Sequence, residues 1–354
     1  MMTERFKELI VSGSEFEMGR QIGEECKEQI KDLVQITLQR FNLSSKKIIS
    51  LNQAIDLVNK IIDSSGEFLE IEFNELKGIS ESADVQFEEL MILNCRNMLG
   101  SIPDGCTSVL VSSERSSEES SIAGQNWDND PLMMDFSIVL TRKPNYKPNN
   151  TTWTQPGLSA YMGINSEGTA ICMNALNGPV STVGIPWYFI VRKIFGTKGF
   201  DEINNILKNI TPAITANAAI VTNEGPVNYE LTPKKIRYIE PDEGLIVHTN
   251  HCIHNDLVVN NIEFEDNIYG QSFERKNRSE NILSEIKSVT LDNVKSILSD
   301  HDGFPTSICR HRNSDKFTGW QKSVISIIML PELGQLHISA GNPCENQYEV
   351  YLLK

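Results

Sequence analysis

The chain changes its periodicity near residue 100, and that switch limits the folds open to it. Before it, "SEFEMGRQIGEECKEQIKDLVQITLQRF" opens with a capping box, Ser14 to Glu17, and repeats apolar side chains at Met18, Ile22, Cys26, Ile30 and Leu33. Spacings of three and four put those side chains on one face, so the run predicts one long amphipathic helix. Gly19 and Gly23 share a face and would let a neighbouring element approach closely, at about 1 kcal/mol of helix propensity each. "SSKKIISLNQAIDLVNKIIDSS", "GEFLEIEFNELKGISESA" and "FEELMILNCRN" repeat the pattern, so roughly the first hundred residues are predicted helical.

After Gly105 the period falls to two. "CTSVLVSS", "SSIAGQNW", "FSIVLTR", "LSAYMGINSEGTAICMNAL", "NAAIVTNE", "GPVNYELT", "KKIRYIE" and "GLIVHTN" are strand-length runs separated by Gly, Pro, Asn and Asp. Two helical runs, "SENILSEIK" and "LDNVKSILSDH", precede the closing strands "KSVISIIML", "QLHISA" and "YEVYLL". The polar stretch "SSERSSEESS", 112 to 121, reads as an exposed hairpin tip. Helices first, then strands interrupted by helix pairs, predict an α+β or layered sandwich rather than a doubly wound nucleotide binder. No GxGxxG follows a strand and no GxxxxGK[ST] is present, so a nucleotide cofactor has no support.

Composition narrows the partners. With 354 residues, 40% of them hydrophobic, the chain can bury a large core as one big domain or two ordinary ones. A net charge of −15 repels phosphate backbones and anionic lipid, which disfavours nucleic-acid and membrane roles and leaves a small molecule as the expected partner. The amino terminus shows no apolar signal region, and no apolar run is long enough to span a bilayer, so cytoplasm is the default expectation. The seven cysteines are scattered and never form a CxxC pair, which suits reduced thiols better than a disulfide framework.

Three constellations could carry chemistry. In "DGCTSVLV", 104 to 111, Cys106 follows a glycine and opens a strand. A buried structural cysteine is the commoner role for a thiol. A glycine before it, however, permits backbone geometries closed to other residues, and the thiol could attack the Gly105 carbonyl to form a thioester. Hydrolysis would cut the chain and uncover an α-amine, of pKa about 7.7 to 8, as a base on the nucleophile's own residue. In "HTNHCIH", 248 to 254, His248, His251, Cys252 and His254 suggest zinc. Their spacing along a strand and turn does not place them on one face, and no metal is expected. Asn250 could instead donate its amide N–H to an oxyanion, or simply form the turn. In "GQNWDND", 124 to 130, Asp128 could bind the Cys106 amine or orient a water, or start an Asx-turn. Trp127, Trp153, Trp187 and Tyr188 could line a pocket but fit a core equally.

"DGCT", "GQNWD", "GINSEGTAICMNALN", "HTNH" and "SICRH" occur in an order that resembles the acyl-coenzyme A:6-aminopenicillanic acid acyltransferase (isopenicillin N acyltransferase) family. That family belongs to the N-terminal nucleophile hydrolases, with bile-salt hydrolases and acid ceramidase as distant relatives. "GSEFEMGRQIGEE" and "ELKGISESADVQFEELMILNCRN" look like its pro-region, so the resemblance covers nearly the whole chain. It implies a four-layer αββα sandwich of two antiparallel sheets. It also implies self-cleavage between Gly105 and Cys106, giving a helical chain 1–105 and a chain 106–354 that together form one globular unit.

By resemblance, Cys106 is the nucleophile, Asp128 orders its amine and Asn250 donates to the oxyanion. Asn174 would be a second polar donor, and Arg310 would support the nucleophile electrostatically and lower its pKa. Gln125, counted with the supporting and substrate-binding positions, departs from the bile-salt and ceramidase relatives, which carry arginine there, so their substrate class does not transfer. The activity implied is acyl transfer through a Cys106 thioester, with no cofactor. The substrate would be a small acyl amide or acyl thioester. Water as acceptor gives an amidohydrolase of small linear amides, the favoured reading; an amine gives an N-acyltransferase. A papain-type protease would need its cysteine to open a helix, which "CTSVLV" contradicts. A non-catalytic binding protein with a buried Cys106 would leave the chain intact.

Overall fold

The computed structural model describes residues 5–44, 48–99, 105–263, 266–315 and 319–354; Asp104 of the "DGCT" motif lies outside them. The amino-terminal third forms α1 (Glu15–Glu25), α2 (Lys27–Ser44), α3 (Leu51–Ser65), α4 (Glu70–Ala83), α5 (Phe87–Asn94) and α6 (Arg96–Leu99). The Ser14–Glu17 capping box is present. The long first helix nevertheless breaks at Cys26 into α1 and α2, whose apolar stripe continues across the break through Met18, Ile22, Cys26, Ile30 and Leu33. Periodicity records the buried face and is blind to a one-residue interruption that leaves that face intact. The glycine expectation holds: a Cβ on Gly19 would stand 2.0 Å from the Glu75 carbonyl oxygen of α4.

The first hundred residues also contain a strand, β1 (Lys7–Gly13), which the helical reading misses. The strands that follow are β2 (Gly105–Val111), β3 (Ile122–Asn129), β4 (Ile138–Pro144), β5 (Asn150–Thr154), β6 (Met162–Asn165) and β7 (Ala170–Ala175). After α7 (Trp187–Ile194) and α8 (Phe200–Lys208) come β8 (Ala216–Thr222), β9 (Gly225–Leu231), β10 (Ile236–Ile239) and β11 (Leu245–His248). The chain closes with α9 (Asp266–Ser284), α10 (Leu291–Leu298), β12 (Lys322–Leu330), β13 (Gln335–Ala340) and β14 (Tyr348–Leu352).

Two sheets result, ordered β1-β4-β5-β6-β7-β8-β9-β10 and β11-β2-β3-β12-β13-β14. Both sheets are antiparallel, as expected, in every described strand pairing but one: β1 runs parallel to β4. A strand from the helical amino-terminal segment reaches the sheet edge without a hairpin, and nothing then forces it to run antiparallel.

The layers follow from which face of each strand is apolar toward what. On β2, Cys106 and Leu110 join the cluster that includes Cys172 and Met173 of β7, between the sheets. Val109 and Val111, the alternate residues, pack with Ile122, Leu283, Val294, Ile297 and Leu298 under α9 and α10. The other sheet is covered by the amino-terminal helices with α7 and α8, tied to it by a buried charge cluster. Glu75 of α4 meets Arg142 of β4 at 2.7 Å and Arg192 of α7 at 3.0 Å. Helix, sheet, sheet and helix therefore stack in four layers. A strand buried on both faces reads as a nearly continuous apolar run, as "CTSVLV" does.

Segment 112 to 121 joins β2 to β3 but is not a free tip. Ser117 N donates to the Val289 carbonyl at 2.9 Å, Glu118 accepts from Leu291 N at 2.8 Å, and Ser120 and Ser121 are buried. Ser117 and Glu118 satisfy backbone groups just before and at the start of α10, a use that polarity alone does not separate from solvation.

Candidate active site

Cys106 lies opposite Trp127, and Gly105 opposite Asp128, in the β2–β3 ladder. Gly105 is not among the residues with positive φ, so unusual backbone geometry is not what requires a glycine there. Close approach is. A Cβ at Gly105 would stand 2.7 Å from Asp128 Oδ2 and 2.9 Å from its Cβ. The missing side chain makes room for a carboxylate beside the Gly105–Cys106 peptide.

The backbone N–H of Cys106 donates to Asn250 Oδ1 at 2.8 Å. Arg275 Nη2 donates to the same oxygen at 2.8 Å, while Asn250 Nδ2 donates to the Ala175 carbonyl at 3.0 Å. Two donors aimed at one end and an acceptor at the other leave a single orientation for the amide. Asn250 therefore holds the nitrogen of the Gly105–Cys106 bond through its oxygen, and one of its two amide protons is engaged by β7. It sits just beyond β11, where Ser272 Oγ anchors its backbone N–H at 2.8 Å.

Arg275 of α9 is a site residue that the sequence reading does not find. Its Nη1 donates to the Cys106 carbonyl at 2.5 Å and to Thr107 Oγ1 at 2.8 Å. Burial, with Arg310 nearby, lowers its pKa to about 10, against the opposing pull of Asp128 and Cys106. Nothing in "SFERKNRSE" separates this arginine from Lys276 or Arg278 on the same helix. Only the packing of α9 against β2 turns it inward.

Asp128 is fully buried; Oδ1 accepts from Ser323 Oγ at 2.7 Å, and Oδ2 lies 3.6 Å from Arg310 Nε. Burial pushes its carboxyl above the ordinary range, opposed by Arg310, Arg275 and the Ser323 hydroxyl. Oδ2 has no hydrogen-bond partner, and neither have the Nε atoms of Arg275 and Arg310. The register of β12 against β3 shifts between Ser323 and Ile325, an irregularity beside the site. Arg310 donates through its other nitrogens to Gln321 at 2.8 Å and Gln271 at 2.7 Å. The Asx-turn considered for Asp128 belongs to Asp130, whose Oδ1 accepts from Leu132 N at 3.0 Å.

Cys106, Asp128, Asn250 and Arg310 thus converge on the start of β2. The contacts of Asn174 and Gln125 run elsewhere. Asn174 accepts from Ser108 Oγ at 2.8 Å and donates to the His248 carbonyl at 3.4 Å. Gln125 spans the sheets to both backbone polar groups of Met173, at 2.5 and 2.7 Å. Trp127, Trp153, Trp187 and Tyr188 are buried, and Trp127 and Trp153 pack with centroids 5.3 Å apart.

The histidines of the 248–254 loop are spent on structure. His248 Nε2 meets Glu230 at 2.9 Å, and the same carboxylate accepts from the backbone N–H groups of Ile253 and His254. His251 stacks on Phe273 and bonds Ser272 Oγ at 2.7 Å; burial lowers its pKa to about 3.

Residues 115–345 match the family described as acyl-coenzyme A:6-aminopenicillanic acid acyl-transferase, a match that begins downstream of Cys106. The 40 kDa form of acyl-coenzyme A:6-aminopenicillanic-acid-acyltransferase from Emericella nidulans is 27% identical over 254 residues, 70% of this chain and 69% of that one. Among solved structures, a cysteine-to-alanine mutant of conjugated bile acid hydrolase from Clostridium perfringens aligns at 13% identity. It covers 70% of this chain and 97% of its own, with a TM-score of 0.48. Penicillin V acylase from Agrobacterium tumefaciens aligns at 11% identity over 66% of this chain and 82% of its own, with a TM-score of 0.41. No helix among the described residues is long and apolar enough to cross a membrane.

Proposed function

Because the chain belongs to the acyl-coenzyme A:6-aminopenicillanic acid acyl-transferase family, we propose that it is an enzyme made by its own cleavage, with Cys106 as nucleophile. The observation that carries the reading is the pair of contacts around one peptide bond: Asn250 Oδ1 on the Cys106 N–H at 2.8 Å, and Asp128 in the space that Gly105 leaves. A buried structural cysteine needs neither.

In the maturation step Cys106 Sγ bonds to the Gly105 carbonyl carbon and gives up its proton. The C–N bond then breaks, the nitrogen takes a proton, and water hydrolyses the resulting thioester. Asn250 keeps its hold on that nitrogen, which becomes the α-amine. In turnover the amine accepts the thiol proton, and Sγ attacks the substrate carbonyl. The proton then passes to the leaving group, and the acyl-thioester is discharged by an acceptor. The second Asn250 Nδ2 proton is the oxyanion donor we assign. Asp128 orients the amine. Arg310 is a positioning residue that acts through Asp128, and Arg275 aligns Cys106 and Asn250 together.

Water as acceptor gives hydrolysis of a small linear amide. Transfer to an amine is the second reading, favoured specifically by the match to the Emericella nidulans acyltransferase.

The test is electrophoresis of purified protein under denaturing conditions, with amino-terminal sequencing. Fragments of 105 and 249 residues are expected, the larger beginning Cys-Thr-Ser. Cys106→Ala should remain one uncut, inactive chain, and Cys106→Ser should cut slowly because a hydroxyl is the poorer nucleophile. Active protein that keeps residue 1 joined to residue 354 would end the proposal. Mass spectrometry of the Cys106 adduct identifies the acyl group, and free acid against acylated amine separates the two readings.

A further inference from the structure

The loop that carries Arg310 and the β13–β14 loop together hold a second set of soft donors that the proposed chemistry does not use. His301, Cys309, His311 and Cys344 each turn one ligand atom inward, and those four atoms lie within 4.8 Å of one another. His301 Nε2 and His311 Nε2 are 2.9 Å apart. Cys309 Sγ stands 3.6 Å from Cys344 Sγ and 3.7 Å from His311 Nε2, and Cys344 Sγ stands 3.3 Å from that nitrogen. A tetrahedral zinc ion with bonds of about 2.3 Å to sulfur and about 2.05 Å to nitrogen needs edges of about 3.8, 3.6 and 3.3 Å for S–S, S–N and N–N pairs. The four separations among Cys309, Cys344 and His311, and between the two histidines, lie within about 0.5 Å of those edges, and the His301–cysteine pairs, within 4.8 Å, close onto an ion by a small turn of the exposed His301 ring.

The surroundings suit a metal as well. Asn342 Nδ2 lies 3.5 Å from Cys309 Sγ, a donor for a thiolate, and also donates to the Arg310 carbonyl at 2.6 Å. His311 Nδ1, the outward nitrogen, has the Glu345 carboxylate 3.7 Å away, placed to accept its proton once the ring turns to ligate through Nε2. His301 and Cys344 are exposed and Cys309 is buried, so an ion could enter from solvent and be gripped from within. Two thiolates and two imidazoles in a tetrahedron select zinc over calcium, magnesium or manganese, which prefer oxygen. Four protein ligands leave no open position, so the site is structural.

We propose that His301, Cys309, His311 and Cys344 bind a structural zinc ion. The ion ties the segment after α10 to the β13–β14 loop, with Arg310 held between two of its ligands. It is independent of the nucleophile assignment and stands or falls on metal content.

The full-length protein, purified under reducing conditions without chelator after zinc loading, should contain one zinc ion per chain by elemental mass spectrometry. Cobalt substitution should give the visible absorption of a tetrahedral ion together with thiolate charge-transfer bands. Cys344→Ser and His301→Gln, both at exposed positions, should weaken zinc retention against a chromogenic chelator by at least about tenfold without unfolding the chain, as lost ligands do. Three results would overturn the proposal. One is wild-type protein that takes up less than a tenth of an equivalent; another is bound zinc that these variants retain undiminished. The third is a Cys309–Cys344 disulfide in the native protein, seen by mass spectrometry of peptides alkylated before reduction.

Discussion

Asp128 Oδ2 lies 2.7 Å from the point a Cβ on Gly105 would occupy. Any side chain at residue 105 must displace a carboxylate that Ser323 and Arg310 hold from the other side. Gly105→Ala should therefore slow self-cleavage by about fivefold to a hundredfold, since overpacking of this kind costs about 1–3 kcal/mol and each 1.4 kcal/mol is tenfold in rate. Time-resolved gels after expression check this. Cleavage at the wild-type rate would show that the contact is not required.

The two ends of Asn250 can be separated. Asn250→Ala should lose roughly 10² to 10³ in turnover, the usual scale for one oxyanion donor. Asn250→Asp keeps the oxygen that accepts from Cys106 N–H but loses the amide protons, so cleavage should continue while kcat falls. Turnover reduced less than threefold in the alanine variant would remove Asn250 from the site.

Arg275 fastens three groups at once: the Cys106 carbonyl, the Thr107 hydroxyl and Asn250 Oδ1. Lysine keeps the charge but not the fork. Arg275→Lys should lower kcat by about tenfold or more, with KM changing less, and steady-state kinetics on the matured enzyme measure the split. Equal loss in kcat and in overall stability would reduce Arg275 to a packing role.

Glu75 sits before the proposed cleavage point, and its partners Arg142 and Arg192 sit after it. Glu75→Gln leaves two buried guanidinium groups without their counter-charge and should cost about 3–5 kcal/mol of stability, read by urea unfolding. Burial pushes the Glu75 carboxyl up, but the two arginines override it and hold it below its ordinary value of 4.5. A depressed carboxyl contributes stability that is present above 4.5 and lost as pH falls below it. The glutamine variant should lose that part of the acid dependence.

His251 gives an earlier acid transition. Its pKa is lowered from 6.5 to about 3, chiefly by burial. The unfolded chain takes up a proton near pH 6.5 that the folded chain refuses, so stability is full above 6.5 and falls as pH drops toward 3. His337, also lowered by burial, acts in the same direction. His251→Gln should flatten the slope between pH 6.5 and 4.5 in urea titrations; an unchanged slope would show that this ring does not set it.

Much of the fold is legible because periodicity reports burial. The strand runs from "CTSVLV" to "YEVYLL" and the Ser14 cap all appear where their patterns lie. Strand β1 is hidden by the helical run that follows it, and α7 spans only eight residues, Trp187–Ile194, too short a run for its period to stand out from the strands around it. Of the candidate site, Cys106, Asp128, Asn250 and Arg310 share one neighbourhood. Arg275 is invisible because a helical arginine facing inward looks like one facing water. The zinc tetrad is eclipsed by the denser "HTNHCIH", since sequence density is not spatial convergence.

What the sequence determined by itself is local: the glycine ahead of a cysteine, the capping residues, and the alternation that makes β2 a strand. What only the tertiary structure decided is which distant groups meet. Asn250 reaches the Cys106 nitrogen across 144 positions, and Cys344 reaches Cys309 across 35. Side-chain chemistry is written residue by residue, whereas its direction depends on which face each element buries, and that choice belongs to the packed sheets.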